Sequence, residues 1–366
     1  MTKFVMKYFV MSEIGNFLRE RRKQLELKIS EVARLCRIDQ ALISKYEGGR
    51  RMPSEKHLRI LAEGYDVEYS ELRKIWMIEK VVSLVYDEYE ASDILIAAEN
   101  RIEYLSKKES LELPALSKEV LQKLEKVDDL KKRWNSLKPL NGIQLAKMKE
   151  YFKIQYTHES NQIEGNTLSL QETMLVVEEG LTISGKSIKE HLEAINHSEA
   201  VEYLGDFIKG AVDLSRKILL DIHSIVLRSI DRKYAGRIRD VPVRISGSEH
   251  KPPMPYLIDK LMEDYFLFYQ RNKKILHPAI MAAELHERLV SIHPFIDGNG
   301  RTSRLIMNFH LLKNGYTITS LKGDHASRLE YYRSLEECQV HNRYDRFYNL
   351  ILDRLIFSLE EHLAFV

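Results

Sequence analysis

Residues 285–315 read LHERLVSIHPFIDGNGRTSRLIMNFHLLKNG, and the reading of this stretch decides the fold of the larger part of the chain. LHERLVSI carries its apolar residues at helical spacing, and RLIMNFHLLKNG starts a second helix, so a tight turn opens onto a helix N-terminus between them. Backbone N–H groups left unpaired there, with the positive end of the helix dipole, make a seat for an anion. Gly298 and Gly300 let the main chain approach phosphate oxygens with no side chain in the way. A lone His-Pro is an ordinary loop, a lone Gly-Asn-Gly an ordinary turn, and an Asp at a helix head an ordinary cap. Their joint spacing gives each a role. His293 can take a proton from a nucleophile near neutral pH. Asp297 is a hard oxygen ligand suited to magnesium. Arg301 and Arg304 share roughly one helix face and can reach one phosphate chain.

The segment HPFIDGNGRTSR, residues 293–304, resembles the signature of the Fic (filamentation induced by cAMP) family, HxFx(D/E)GNGRxxR, at every defined position. The resemblance implies a protein adenylyltransferase, which moves AMP from ATP to a Ser, Thr or Tyr hydroxyl of a protein. It makes His293 the general base, and Asp297 the residue that holds magnesium against the α- and β-phosphates. Asn299 and the backbone of Gly298 and Gly300 would line the anion hole, and Arg301 and Arg304 would take the outer phosphates. Thr302 and Ser303 belong to the same nucleotide-binding run, and Phe295 anchors the loop. Kinase-like relatives of the Doc branch depart in the GNG portion, which is intact here, so nucleotidyl transfer is favoured over phosphoryl transfer.

Residues 160–166, SNQIEGN, match the inhibitory pattern (S/T)xxxE(G/N) of the same family. The resemblance implies that Glu164, inhibitory and at the nucleotide site, pairs with Arg304. An arginine fork paired with a carboxylate cannot also clamp the γ-phosphate. Residues 241–253, VPVRISGSEHKPP, alternate apolar and polar positions before Gly247 turns the chain and Pro252-Pro253 stop it, a pattern of a strand or short hairpin. In Fic proteins this segment is a flap that pins the target peptide by strand addition, which would set Ile245, Ser246, Gly247 and Ser248 over the nucleotide. Tyr331 and Tyr332 resemble adenine-side tyrosines, and Gln339, placed after that helix, is a further candidate hydrogen-bonding partner of the nucleotide.

A second resemblance lies near the N-terminus. Residues 12–62 form a succession of short amphipathic segments with Leu18, Val32, Ala33, Leu35, Ile43, Tyr46, Leu58 and Leu61 placed for a compact helical core. They hold twelve Lys/Arg against seven Asp/Glu, whereas the whole chain has a net charge of +2, so the basic excess sits on one small domain. The order of small residues and turns, with YEGGRRMPS after the third segment, resembles the Cro/C1-type helix-turn-helix. That implies a recognition helix over about 39–47 capped by Asp39, with Gln40, Ala41, Ser44 and Lys45 facing base edges and Arg50 and Arg51 reaching phosphates. Lys28 and Ile29 stand where relatives prefer a Ser or Thr cap and a Gln.

The expected architecture is all-α: a mostly helical Fic fold with a short β-hairpin flap, preceded by a small helix-turn-helix domain and a helical linker. The boundaries fall at 12–78, 79–112 and 113–366, with Leu113-Pro114 marking the last break. The 366 residues suffice for two or three cored domains. Cys36 and Cys338 lie in different domains and offer no disulfide framework or zinc spacing. Residues 1–15 show no signal peptide, Met6 and Met11 are alternative starts, and no apolar stretch reaches membrane-spanning length, so a cytoplasmic location is expected. Expected partners are ATP with Mg2+, a protein substrate bearing a hydroxyl side chain, DNA, no membrane and, as in relatives, a second copy in a homodimer. Two other readings stand beside the leading one: removal of AMP from a modified protein with Glu164 orienting a water, and a DNA-binding regulator whose Fic domain senses nucleotide.

Overall fold

A computed structural model describes residues 12–109, 115–138, 142–209 and 212–366. The alternative starts at Met6 and Met11 and the break at Leu113-Pro114 lie outside the described residues. The chain divides into two compact units, Met1–Glu103 and Tyr104–Val366.

Among the described residues the first six helices are α1 (Glu13–Gln24), α2 (Ile29–Cys36), α3 (Gln40–Glu47), α4 (Glu55–Gly64), α5 (Tyr69–Val85) and α6 (Ala91–Glu109). Local chemistry sets their starts. The Ser12 hydroxyl accepts from Gly15 N, Asp39 Oδ1 accepts from Leu42 N at 3.1 Å, and Glu31 Oε2 accepts from Lys28 N at 2.6 Å in place of the missing hydroxyl cap. Ile14, Leu18, Val32, Ile43, Leu58, Leu61, Tyr65 and Leu72 are fully buried together, with Trp76 closing the core. Leu35, expected in that core, is exposed. On α2 the buried stripe is Val32, Ala33 and Cys36, and at 3.6 residues per turn Leu35 falls outside it. An ion pair on a buried carboxylate fixes the end of α3: Arg22 Nε donates to Glu47 Oε1 at 2.8 Å, and the Tyr65 hydroxyl donates to the same oxygen at 2.7 Å. Helix α5 runs through position 78 without a break.

The second unit holds α7 (Lys118–Ser136), α8 (Gly142–Ile163), α9 (Leu170–Glu178), α10 (Ile188–Lys209), α11 (Arg216–Leu227), α12 (Pro255–Asn272), α13 (Pro278–Ile292), α14 (Asn299–Lys313), α15 (His325–His341) and α16 (Asp345–Ala364). Helices α13 and α14 are buried nearly all round, as their apolar residues on every side require. On one flank Ala283, Met307 and Leu311 join α7, α15 and α16; on the other Leu285, Leu289, Ile306 and Phe309 join α11 and α12. The loop 293–298 therefore hangs between two central helices, both clamped between the same two cores.

Residues 241–253 are not the expected hairpin. Among the described residues they form no strand, and the chain only turns at Ser246-Gly247, with Gly247 at φ +79°. Pro242 removes a ladder donor, and a two-stranded ribbon with no sheet beside it is marginal in water.

Candidate active site

His293 ends α13 in a left-handed conformation, φ +50°, which breaks the helix and turns the chain into the loop. Its Nδ1 lies 3.3 Å from Val290 O, so it donates there and leaves Nε2 free to accept a proton. Burial pushes the imidazole down to about 4, partly opposed by that backbone bond, so the ring is neutral at pH 7.

The loop is held from within and from behind. The Asn299 amide closes on Phe295 at both ends: Phe295 N donates to Oδ1 at 3.0 Å and Nδ2 donates to Phe295 O at 2.9 Å. Phe295 is fully buried and stacks on His223, with ring centroids 3.6 Å apart. His223 Nδ1 accepts from Gly236 N at 3.0 Å, so Nε2 carries the proton and donates to Asp297 O at 3.0 Å. Burial also lowers His223, to about 4. Arg239 is 3% exposed and ties four carbonyls together. Its backbone N–H donates to Pro294 O at 2.9 Å, Nε to His293 O at 2.8 Å, Nη1 to Val241 O at 2.9 Å and Nη2 to Pro253 O at 2.6 Å. The base of the flap segment and the His293 loop thus share one guanidinium. Sequence reasoning missed both His223 and Arg239. A lone His on an apolar helix face carries no signal; an Arg just ahead of the flap, in GRIRDV, carries a faint one.

Gly298 caps α14 at φ +78°, and the first-turn N–H groups of Asn299, Gly300 and Arg301 point out of the helix start. Asp297 Oδ1 accepts from Gly298 N and from Arg301 Nη2 at 3.2 Å; its other oxygen enters neither bond, and the side chain is half exposed. That donor set suits magnesium, which binds one or two carboxylates and takes its remaining ligands from phosphate and water. Among the described residues no group of three or more His, Cys, Asp or Glu forms a cage. Thr302 and Ser303 are fully buried, and the Ser303 hydroxyl returns to Asn299 O at 2.8 Å.

Glu164 follows the end of α8 and reaches this helix start. Its Oε1 accepts from Arg304 Nη2 at 2.7 Å. Arg304 is 1% exposed, with Nε on the Ser160 hydroxyl at 3.0 Å and Nη2 also on Ser160 O at 2.8 Å. A Cβ on Gly300 would lie 2.3 Å from Glu164 Oε1, so only glycine admits the carboxylate there. Tyr331 is buried behind the pair, its hydroxyl 3.0 Å from His286 Nε2 and 3.5 Å from Arg304 Nη1. The Tyr332 hydroxyl donates to Ile163 O at 3.0 Å, holding the end of α8. Gln339 lies inside the last turn of α15 rather than after it. Ile245 is half-buried, while Ser246 and Gly247 are exposed at the tip and Ser248 N donates back to Ile245 O at 3.4 Å. In the first unit Gln40, Ala41, Ser44 and Lys45 are all exposed on α3, as are Arg50 and Arg51 after it.

A Fic/DOC family model matches residues 213–311, and a helix-turn-helix domain model matches residues 13–74. The chain carries a Fic domain preceded by a helix-turn-helix domain. It is 36% identical over 197 residues to the protein adenylyltransferase Fic of Drosophila sechellia, covering 53% of this chain and 39% of that protein. It is 34% identical over 229 residues to the protein adenylyltransferase Fic of Nematostella vectensis, covering 62% and 52%. The chain thus spans between about two fifths and half the length of these relatives. A Fic domain containing signaling protein from Bacteroides thetaiotaomicron has a similar fold, with a TM-score of 0.61 at 27% identity, over 66% of this chain and 96% of that one.

Proposed function

We propose that the second unit transfers AMP from ATP to a Ser, Thr or Tyr hydroxyl of a protein, and that Glu164 restrains it. The observation that carries this reading is the Glu164 carboxylate, 2.7 Å from a buried motif arginine and against Gly300 at the anion-binding end of α14. An acid stands where phosphate would be held. In the reaction, His293 Nε2 accepts the proton of the target hydroxyl, and the hydroxyl oxygen attacks the α-phosphorus as the bond to the β-phosphate breaks, releasing pyrophosphate. The N–H groups at the start of α14 meet the charge on the phosphates, with Arg301 and Arg304 on the outer ones. Asp297 would hold magnesium, which when bound neutralises charge on the α- and β-phosphates. Phosphates arriving beside His293 raise it from about 4 toward the range where a base works best at neutral pH. With Glu164 on Arg304 the γ-phosphate loses its clamp and the α-phosphate its alignment, and misalignment is expensive in rate.

Incubating Glu164→Gly protein with α-labelled ATP, magnesium and a lysate should label a target band, and adding His293→Ala should abolish it. Persisting label in the double variant would remove His293 from the role of base.

We infer DNA binding for the first unit, supported by the six exposed residues on and after α3 and by the basic excess over 12–62. A duplex-binding affinity that does not fall with added salt would refute it.

A further inference from the structure

Both motif arginines face a carboxylate, and only one of these acids belongs to the inhibitory motif. Arg301 is met by Glu193 of α10, whose Oε1 lies 3.5 Å from Nη1. Glu193 is 8% exposed, and its second oxygen accepts from Asn166 Nδ2 at 3.0 Å. Asn166 sits two residues beyond Glu164 in the turn that carries it. The same amide donates to Glu190 O at 3.0 Å, and Asn161, in the last turn of α8, donates to Glu193 O at 3.3 Å. The other charged groups on the pair are Asp297, 3.2 Å from Arg301, and the exposed Lys189, 3.8 Å from Glu193. Glu193 therefore stands between the inhibitory turn and a phosphate-binding arginine.

We propose that Glu193 is a second, indirect restraint on nucleotide binding: it fastens the turn carrying Glu164 to Arg301 and releases that hold when phosphate takes the guanidinium. The inference rests on the reading of this site as an AMP-transfer site. The geometry suits a contact meant to be exchanged. At 3.5 Å the pair is loose, and Arg301 Nε and Nη1 have no hydrogen-bond partner among the described residues although the residue is 2% exposed. A phosphate that accepts from those groups makes a shorter, charge-assisted bond than Glu193 does, and the two anions repel. Because linkage is reciprocal, whatever loosens Glu193 from Arg301 or from Asn166 favours nucleotide, and bound nucleotide loosens the turn.

The test uses the full chain with Glu164 in place. Glu193→Gln removes the charge opposite Arg301 and keeps an oxygen for Asn166; Asn166→Ala cuts the link on the turn side and leaves Arg301 untouched. ATP–magnesium affinity is read by calorimetry, transfer by α-labelled AMP incorporation, and folding by melting temperature. Both variants should bind ATP about tenfold tighter than the native chain and incorporate more label. Adding Glu193→Gln to Glu164→Gly should gain less than it does alone. Unchanged or weaker ATP affinity in both variants, with native melting temperatures, would overturn the proposal and leave Glu193 a packing residue. If Glu193→Gln fails to fold, Asn166→Ala alone decides. If Glu164→Gly gains no transfer, the AMP-transfer reading falls, and the ATP affinities still decide the coupling.

Discussion

Each unit contains a glutamate on an arginine, and the two pairs are built for different ends. Glu47 is 3% exposed; both its oxygens bond Arg22, with Tyr65 added, and nothing in its surroundings invites exchange. Glu164 is one-third exposed, offers one oxygen to Arg304, and lies against a glycine at a helix start that attracts anions. The first carboxylate is enclosed, and its pair holds a fold. The second is open on the side where a ligand would enter, so the same chemistry can act as a brake. Enclosure of the carboxylate, more than distance, separates the two pairs.

Breaking Glu47 should therefore have the largest effect on folding. Glu47→Ala strips Arg22 of its carboxylate partner, leaves the buried Tyr65 hydroxyl unpaired, and should destabilise the first unit by about 2–3 kcal/mol. Urea melts followed by hydrogen exchange at the amides of α3 would check it; loss below about 1 kcal/mol would make the pair incidental.

Arg239→Lys should come next. A single ammonium cannot serve three main-chain carbonyls placed for a planar fork, so the His293 loop shifts relative to the flap segment. In the Glu164→Gly background, AMP transfer should fall by about 100-fold while ATP affinity stays near native. A parallel loss of ATP binding would show that Arg239 only supports the fold.

Acid should separate the units. His223, His293, His310 and His362 are all pushed down to about 4 by burial, and His286 to about 3, all in the second unit. A folded value below the unfolded 6.5 means the unfolded chain binds more protons, so this stability is complete above pH 6.5 and is lost as pH falls toward 4. Each unit of depression is worth about 1.4 kcal/mol. The first unit has one histidine, His57. Hydrogen exchange between pH 6.5 and 4 should show amides of α13 and α14 losing protection well before those of α1 and α4.

How much of this was legible in the sequence follows from whether the signal is local. The run 293–304 specifies its own turn and helix start, and SNQIEGN its own helix end, so the pairing of Glu164 with Arg304 could be expected through the family resemblance. Asp39 as cap and the core positions of α3 and α4 followed from short-range pattern. The flap misled because three alternating apolar residues look the same with or without a neighbouring strand. Leu35 misled because one apolar residue can lie off a stripe. Arg239, His223, Glu193 and Glu47 were invisible for a different reason: each works on partners that only the tertiary fold brings near. Arg239 joins carbonyls at 241, 253, 293 and 294, and no spacing rule in the chain connects those positions.

The smallest expected effect on stability belongs to Glu164 itself. With the carboxylate gone, water can enter the vacated seat, and the buried Arg304 keeps Ser160 and Tyr331, so Glu164→Gly should cost only about 1–2 kcal/mol in thermal or urea melts. Its effect on rate is the reverse, and this is the most direct test of the account. Incorporation of label from α-labelled ATP, measured on equal amounts of native and Glu164→Gly protein at saturating ATP and magnesium, should rise at least about tenfold in the variant. Equal rates would contradict the claim that this carboxylate restrains the site.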